Sequence, residues 1–203
     1  MMDPFRTLTA LAAPLPHSNI DTDVIIRVER CVRTPKAELG RYAFEALRFL
    51  PNGSENPEFI LNREPWRHAR ILVCGENFGC GSSREKAVWA NAGMGIRCVI
   101  APSFGEIFHG NCLQNGLLAI RLPPDVVSNL MQRASDPATA TFTVDLEQQT
   151  INKDIAFDID PLAKKMLLEG LDAIGLTLAR EAEIAKFQST DRAHRPGIYD
   201  LPA

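Results

Sequence analysis

The sequence predicts an α/β fold with a mixed β-sheet, and three observations carry that prediction. Ile71-Leu-Val-Cys74 and Cys98-Val-Ile-Ala101 are short, uniformly apolar runs of the kind that buried strands show. Between them lie a glycine-rich loop, GENFGCGSSREKA over residues 75–87, and a helical segment from Glu85 to Ala92. Strand, loop, helix and strand in that order give two parallel strands joined by a right-handed crossover. In the second half, Thr141-Phe-Thr-Val-Asp-Leu146 alternates with period two, and Thr150-Ile151 and Ile155-Ala-Phe-Asp-Ile159 follow around polar turns. An antiparallel, hairpin-rich part therefore joins the parallel one.

The remaining elements follow in order. Phe104, Ile107 and Phe108 recur at helical spacing and predict a helix to Asn111 with Ser103 as its cap. Leu117 to Leu122 reads as a further buried strand. Pro161 opens a helix running to about Glu169, with Gly170 as its stop, and Leu178 to Phe187 forms a last helix. Residues 1–203 read as a single domain, with a polar tail from Ser189 that either frays or docks on a partner. Glu29–Gly40 and Pro51–Pro57 show no clean period, and the charge-rich stretch 27–38 is expected to be mobile.

Bulk properties narrow the function. With 203 residues, 45% hydrophobic and 23% charged, and a net charge of -3, the chain has no broad basic field, so nucleic acid is a poor default partner. No run approaches the roughly 18 apolar residues of a membrane helix, and the N-terminus lacks a basic region followed by an apolar one, so a cytoplasmic location without membrane contact is expected. The cysteines, Cys31, Cys74, Cys80, Cys98 and Cys112, are odd in number and show no CxxC spacing. That argues against a disulfide framework, a zinc ribbon, or a metal cluster held by this chain alone. The four histidines, His17, His68, His109 and His194, show no ligand spacing and read as structural or surface residues.

The loop at 75–87 is the candidate site. It lacks the third glycine of a dinucleotide fingerprint, the Gly-Lys-Ser/Thr of a phosphate loop, and GxSxG. Ser82-Ser-Arg-Glu85 matches a capping box, with Ser82 as N-cap and Glu85 reaching back. Capping leaves the upstream glycines unexplained, and they indicate that a ligand or another backbone approaches closely. The alternative is an anion site in which a helix start and the planar fork of Arg84 receive a carboxylate. The same positive field would stabilise a serine alkoxide, making Ser82 a proton acceptor without a histidine neighbour.

Four stretches, Asn19-Ile-Asp-Thr-Asp-Val-Ile-Ile26, GENFGCGSSRE, Val99–Phe108 with Asn111 and Asn115–Leu118, and Leu171–Leu178, resemble the small subunit of 3-isopropylmalate dehydratase. That family is itself similar to the swivelling C-terminal domain of aconitase. The resemblance implies a mixed sheet or partial barrel flanked by helices, and a hydro-lyase of leucine biosynthesis that isomerises 2- and 3-isopropylmalate by dehydration and rehydration. It implies a partner, a large subunit holding a [4Fe-4S] cluster, with none bound by this chain, and a hydroxy diacid as substrate. Residue by residue, Ser82 matches the alkoxide base, and Ser83 and Arg84 match groups that hold substrate carboxylate. Asp23 matches an acidic residue that orients a histidine of the cluster-bearing part, while Asp21 and Thr22 order the turn.

After Ile26 the family continues with a proline and an aromatic, Leu-Lys-rich stretch, whereas this chain has Arg27-Val-Glu-Arg-Cys-Val-Arg-Thr-Pro-Lys36. That segment belongs to the family's substrate-recognition loop. Arg27, Arg30 and Arg33 are either carboxylate ligands or a solvated basic surface. The departure leaves open a hydratase of another malate derivative such as 2-methylmalate. A non-catalytic carboxylate-binding assembly module is the rival of a different class.

Overall fold

Nine residues near the N-terminus decide the character of the sheet. In the computed structural model, which describes residues 2–82 and 84–199 and of Tyr199 only the backbone, Thr7–Leu15 forms β1. Its second half, residues 12–15, pairs parallel with β2 (Ile71–Cys74), and its first half, residues 7–11, pairs antiparallel with β5 (Thr141–Asp145). Beyond β2 come β3 (Cys98–Ala101) and β4 (Leu118–Arg121), all parallel; beyond β5 come β6 (Thr150–Ile151) and β7 (Ile155–Ala156), antiparallel. The order β4-β3-β2-β1-β5-β6-β7 is one mixed, curled seven-stranded sheet with β1 as its seam.

Ten helices surround the sheet among the described residues: α1 (Thr22–Ile25), α2 (Val28–Arg33), α3 (Glu45–Arg48), α4 (Glu85–Gly93), α5 (Glu106–Gln114), α6 (Pro124–Ala134), α7 (Pro161–Glu169), α8 (Ala173–Leu178), α9 (Glu181–His194) and α10 (Pro196–Tyr199). Side chains alternate across each strand, so the sheet feeds two cores. On one face Leu72, Cys74, Val99, Ala101 and Ala119 pack with Val88 of α4, Phe108 and Cys112 of α5, and Leu39 and Phe44. On the other, Ile71, Val73, Cys98, Ile100, Leu118 and Ile120 pack with Val127 and Leu130 of α6 and Leu167 of α7.

The parallel unit, the hairpin-rich half and the helix ending at Gly170 (φ 68) are where the sequence puts them, and Asp160 caps that helix through the amides of Leu162 and Ala163. Several boundaries differ. The helix expected from Phe104 begins at Glu106 after Gly105, because the Ser103 hydroxyl accepts a hydrogen bond from the Asn77 amide instead of capping. The capping box at Ser82 does not form: α4 begins at Glu85, the extended residue Arg84 precedes it, and Glu85 accepts from the Asn115 side chain at 2.9 Å. Thus Glu85 ties α4 to the end of α5 rather than closing its own first turn. The last helix is two, α8 and α9, and the tail from Ser189 continues α9 to His194 before α10. The predicted strand 155–159 pairs only through Ile155–Ala156.

The stretch without clean period is built of short turns: α2, a 3-10 turn over Lys36–Tyr42, and α3. It lies directly on α4. A side chain at Gly40 would place its Cβ 2.2 Å from the Gly93 carbonyl carbon, so only glycine permits this approach.

Candidate active site

Three loops leave the carboxyl ends of β1, β2 and β3 side by side, the end of a parallel sheet at which ligands commonly bind. The central one is the glycine-rich loop, and main-chain bonds stitch it to both neighbours. Toward β1, the Asn19 amide donates to Glu76 O (2.8 Å), Gly79 to Ile20 O (2.7 Å) and Thr22 to Cys80 O (3.0 Å). Toward β3, Phe78 donates to Ser103 O (3.1 Å) and Gly105 donates to Phe78 O (2.9 Å). Two side-chain bonds add to these, Asn77 Nδ2 to Asn19 Oδ1 and the Asn77 amide to Ser103 Oγ, both 2.8 Å. The loop is therefore an irregular continuation of the sheet, which satisfies backbone groups that a free loop would leave to water.

Aromatic packing holds it from below. Phe78 is fully buried and meets Phe104 and Phe108 edge-on, at ring-centroid distances of 6.4 and 5.5 Å. Gly79 has φ 73, and a Cβ there would lie 2.2 Å from the Phe108 ring. At this position the chain's own packing requires the glycine. Of the two readings of the glycine surplus, close approach by the chain itself is the one realised at Gly79.

Ser82 emerges from this rigid base as an exposed residue just before α4. Ser83 lies outside the described residues. Arg84 turns toward α1, where both Nη1 and Nη2 donate to the two carboxylate oxygens of Asp23, the Nη2 bond at 3.1 Å. The pair is asymmetric in exposure: the Arg84 side chain is 24% exposed and that of Asp23 51%. The Asp23 hydrogen bonds raise the pKa of the guanidinium further. Asp21 accepts from the Val24 amide at 2.8 Å and caps α1 as expected, whereas the hydroxyl of the fully buried Thr22 finds no hydrogen-bond partner among the described residues, and Thr22 holds the turn through its main chain instead, donating to Cys80 O and accepting from the Ile26 amide.

Of the other basic residues around this edge, Lys86 and Arg30 are engaged. Lys86 donates through Nζ to the Cys31 carbonyl. Burial raises the Cys31 thiol pKa, and Arg84 and Lys86 nearby act in the opposite sense. Arg30 forks onto Glu45 at 3.0 and 2.5 Å and lies 4.1 Å from the Tyr42 ring centre, joining α2 to α3. Glu45 is correspondingly held below the usual carboxylate range by that hydrogen bond. Arg27 and Arg33 are exposed, and Arg27 lines an open cleft with Arg41, Tyr42 and Phe49. The structure thus unites Arg84 with Asp23 beside Ser82 and commits Arg30 to a bond within its own segment.

Sequence reasoning did not find what fixes the direction of α4. Asn115 accepts from Trp89 Nε1 at 2.8 Å while donating to Glu85 and to the Asn111 carbonyl, both at 2.9 Å. The signal in the sequence that could have found it is the spacing of Asn111 and Asn115, four residues apart and so on one helical face. His109 packs on Phe104 at 5.4 Å, and burial and Arg121 lower its pKa below the usual histidine value.

The donor set does not fit an iron-sulfur cluster in this chain. Cys74, Cys98 and Cys112 are sealed in the core, where burial raises their thiol pKa values far above the ordinary range, and a cluster needs thiolates. Among the described residues no group of three or more His, Cys, Asp or Glu is placed to hold a metal ion, and no helix is long and apolar enough to cross a membrane.

Residues 2–125 match the family described as the aconitase C-terminal domain. The chain is 51% identical to the 3-isopropylmalate dehydratase small subunit of Gluconobacter oxydans, across 100% of this chain and 97% of the relative. It is 52% identical to the protein of that name from Parvibaculum lavamentivorans, across 97% of this chain and all of the relative. Among solved structures it is similar to 3-isopropylmalate dehydratase of Methanocaldococcus jannaschii, with a TM-score of 0.64 and 26% identity over 89% of this chain and 98% of the other. Sheet, loop and full-length likeness agree: the chain belongs to the 3-isopropylmalate dehydratase small-subunit family, built on the aconitase C-terminal domain.

Proposed function

We propose that this chain is the base-bearing subunit of a hydro-lyase of leucine biosynthesis, interconverting 2- and 3-isopropylmalate with a large subunit in the cytoplasm. The observation that carries this reading is an exposed Ser82 on a loop immobilised by its neighbours, two residues before a guanidinium at the start of α4. Ser82 Oγ takes the proton from the substrate carbon next to a carboxylate. Arg84, with Ser83, receives that carboxylate, which fixes the carbon against Oγ and keeps positive charge beside the forming alkoxide. The free amides of the α4 start add to the same field. The hydroxyl leaves the neighbouring carbon as hydroxide, and the protonated Ser82 then gives its proton to that carbon as hydroxide adds at the carbon first deprotonated, which yields the isomer and restores the alkoxide.

An iron-sulfur cluster held by the large subunit would supply the Lewis acid for the departing hydroxyl. Asp23 orients a histidine of that subunit, and Arg27 and Arg33 face the substrate side of the interface, where they help to choose among malate derivatives. The experiment is turnover by the cluster-loaded two-chain complex on 2-isopropylmalate and on 2-methylmalate. Preference for isopropylmalate supports the assignment; activity confined to 2-methylmalate moves it to a sister hydratase, and an inactive, cluster-loaded complex contradicts it.

A further inference from the structure

The Arg84 fork is already filled. Asp23, a carboxylate of this same chain, takes both Nη donors in the end-on geometry that a substrate carboxylate would use. The tie is separate from what holds the loop, since the bonds from Asn19, Gly79 and Thr22 run between main-chain atoms and Phe78 packs beneath them. Asp23 is half exposed on a four-residue helix whose turn is fixed by Asp21, so the Asp23 side chain can turn away without unpacking anything. A carboxylate arriving at Arg84 either replaces Asp23 or sits beside its negative charge, and both weaken binding.

We propose that the Asp23–Arg84 pair is an exchange gate, in which Asp23 occupies the carboxylate position of Arg84 in the free chain and gives it up when the large subunit offers Asp23 another cationic partner. The gate rests on the reading of Arg84 as the substrate-carboxylate residue. It makes diacid affinity lower in the lone subunit than in the assembled enzyme. By linkage, diacid and large subunit then favour each other's binding to this chain.

The test is titration of the isolated full-length chain with 2-isopropylmalate, followed by calorimetry or ligand-detected NMR, for the wild type, Asp23→Asn and Arg84→Gln, each checked for an unchanged melting profile. Asparagine keeps the size and removes the charge, so the gate predicts affinity about two- to fivefold tighter than wild type, the scale of a partly exposed ion pair. Arg84→Gln is expected to lose that binding. Equal or weaker affinity in Asp23→Asn, with Arg84→Gln still losing it, overturns the gate and leaves the carboxylate role of Arg84 standing. Binding indifferent to Arg84→Gln overturns the underlying reading as well. No binding by either wild type or Asp23→Asn also overturns the gate, because removing Asp23 then releases nothing.

Discussion

The loops over the sheet and the C-terminal helices are both outside regular core, yet they are held in opposite ways. The loop over residues 75–80 is bonded on both sides through main-chain groups and stands on a buried Phe78. Helices α8 and α9 bury no residue, leave Leu178, Ile184 and Phe187 exposed, and carry exposed local pairs such as Arg180–Glu183. Exposed pairs of this kind contribute little, and an isolated helix of α9's length is marginal in water. The candidate site is built on the sheet's continuation, whereas the C-terminal helices contribute little to the fold that positions it.

The sharpest way to break this contrast is to empty the packing under the loop. Phe78→Ala is expected to cost about 3–5 kcal/mol, read as a fall in the chemical-denaturation midpoint, because a fully buried ring with two aromatic neighbours leaves a cavity. Gly79→Ala comes next at about 2–4 kcal/mol, combining a left-handed backbone with a clash against Phe108. Smallest is a chain ending at Leu178, whose denaturation midpoint should correspond to within about 1 kcal/mol of the full chain. A truncation as damaging as Phe78→Ala would show that the C-terminal helices belong to the folding unit, and the contrast would fall. In the segment that lies on α4, Arg30→Gln sharpens the picture differently: it unties α2 from α3, so a loss of about 1 kcal/mol with the Ser82 loop unmoved in NMR is expected.

The parallel unit was legible because uniformly apolar strands bracket a glycine loop and a helix, and the hairpins because period two is unmistakable in Thr141–Leu146. The seam strand β1 was not: TLTALAAPL is rich in alanine, contains a proline and shows no clean alternation, and it is a strand because both of its edges find partners. The 27–48 segment was illegible for a related reason, since its turns are too short to show a period and depend on the Gly40–Gly93 approach and the Arg30–Glu45 fork. Around the candidate site, the loop with Ser82 and Arg84 stood out in the sequence by itself and Asp23 only through the resemblance, and the capping box was a local pattern overridden by a tertiary bond from Asn115 to Glu85. The Asp23–Arg84 contact spans 61 residues, which no local pattern encodes.

The measurement that tests the central claim most directly is single-site kinetics of Ser82→Ala in the cluster-loaded complex with the large subunit, assayed on 2-isopropylmalate alongside gel filtration of the assembly. Ser82 is exposed and outside the loop's bonded frame, so folding and assembly should be unchanged. A fall in kcat of about 10²–10⁴-fold, the contribution of a positioned base, is expected with little change in KM. A variant that assembles normally and turns over within a few-fold of wild type would contradict it, and the proton acceptor would have to lie elsewhere.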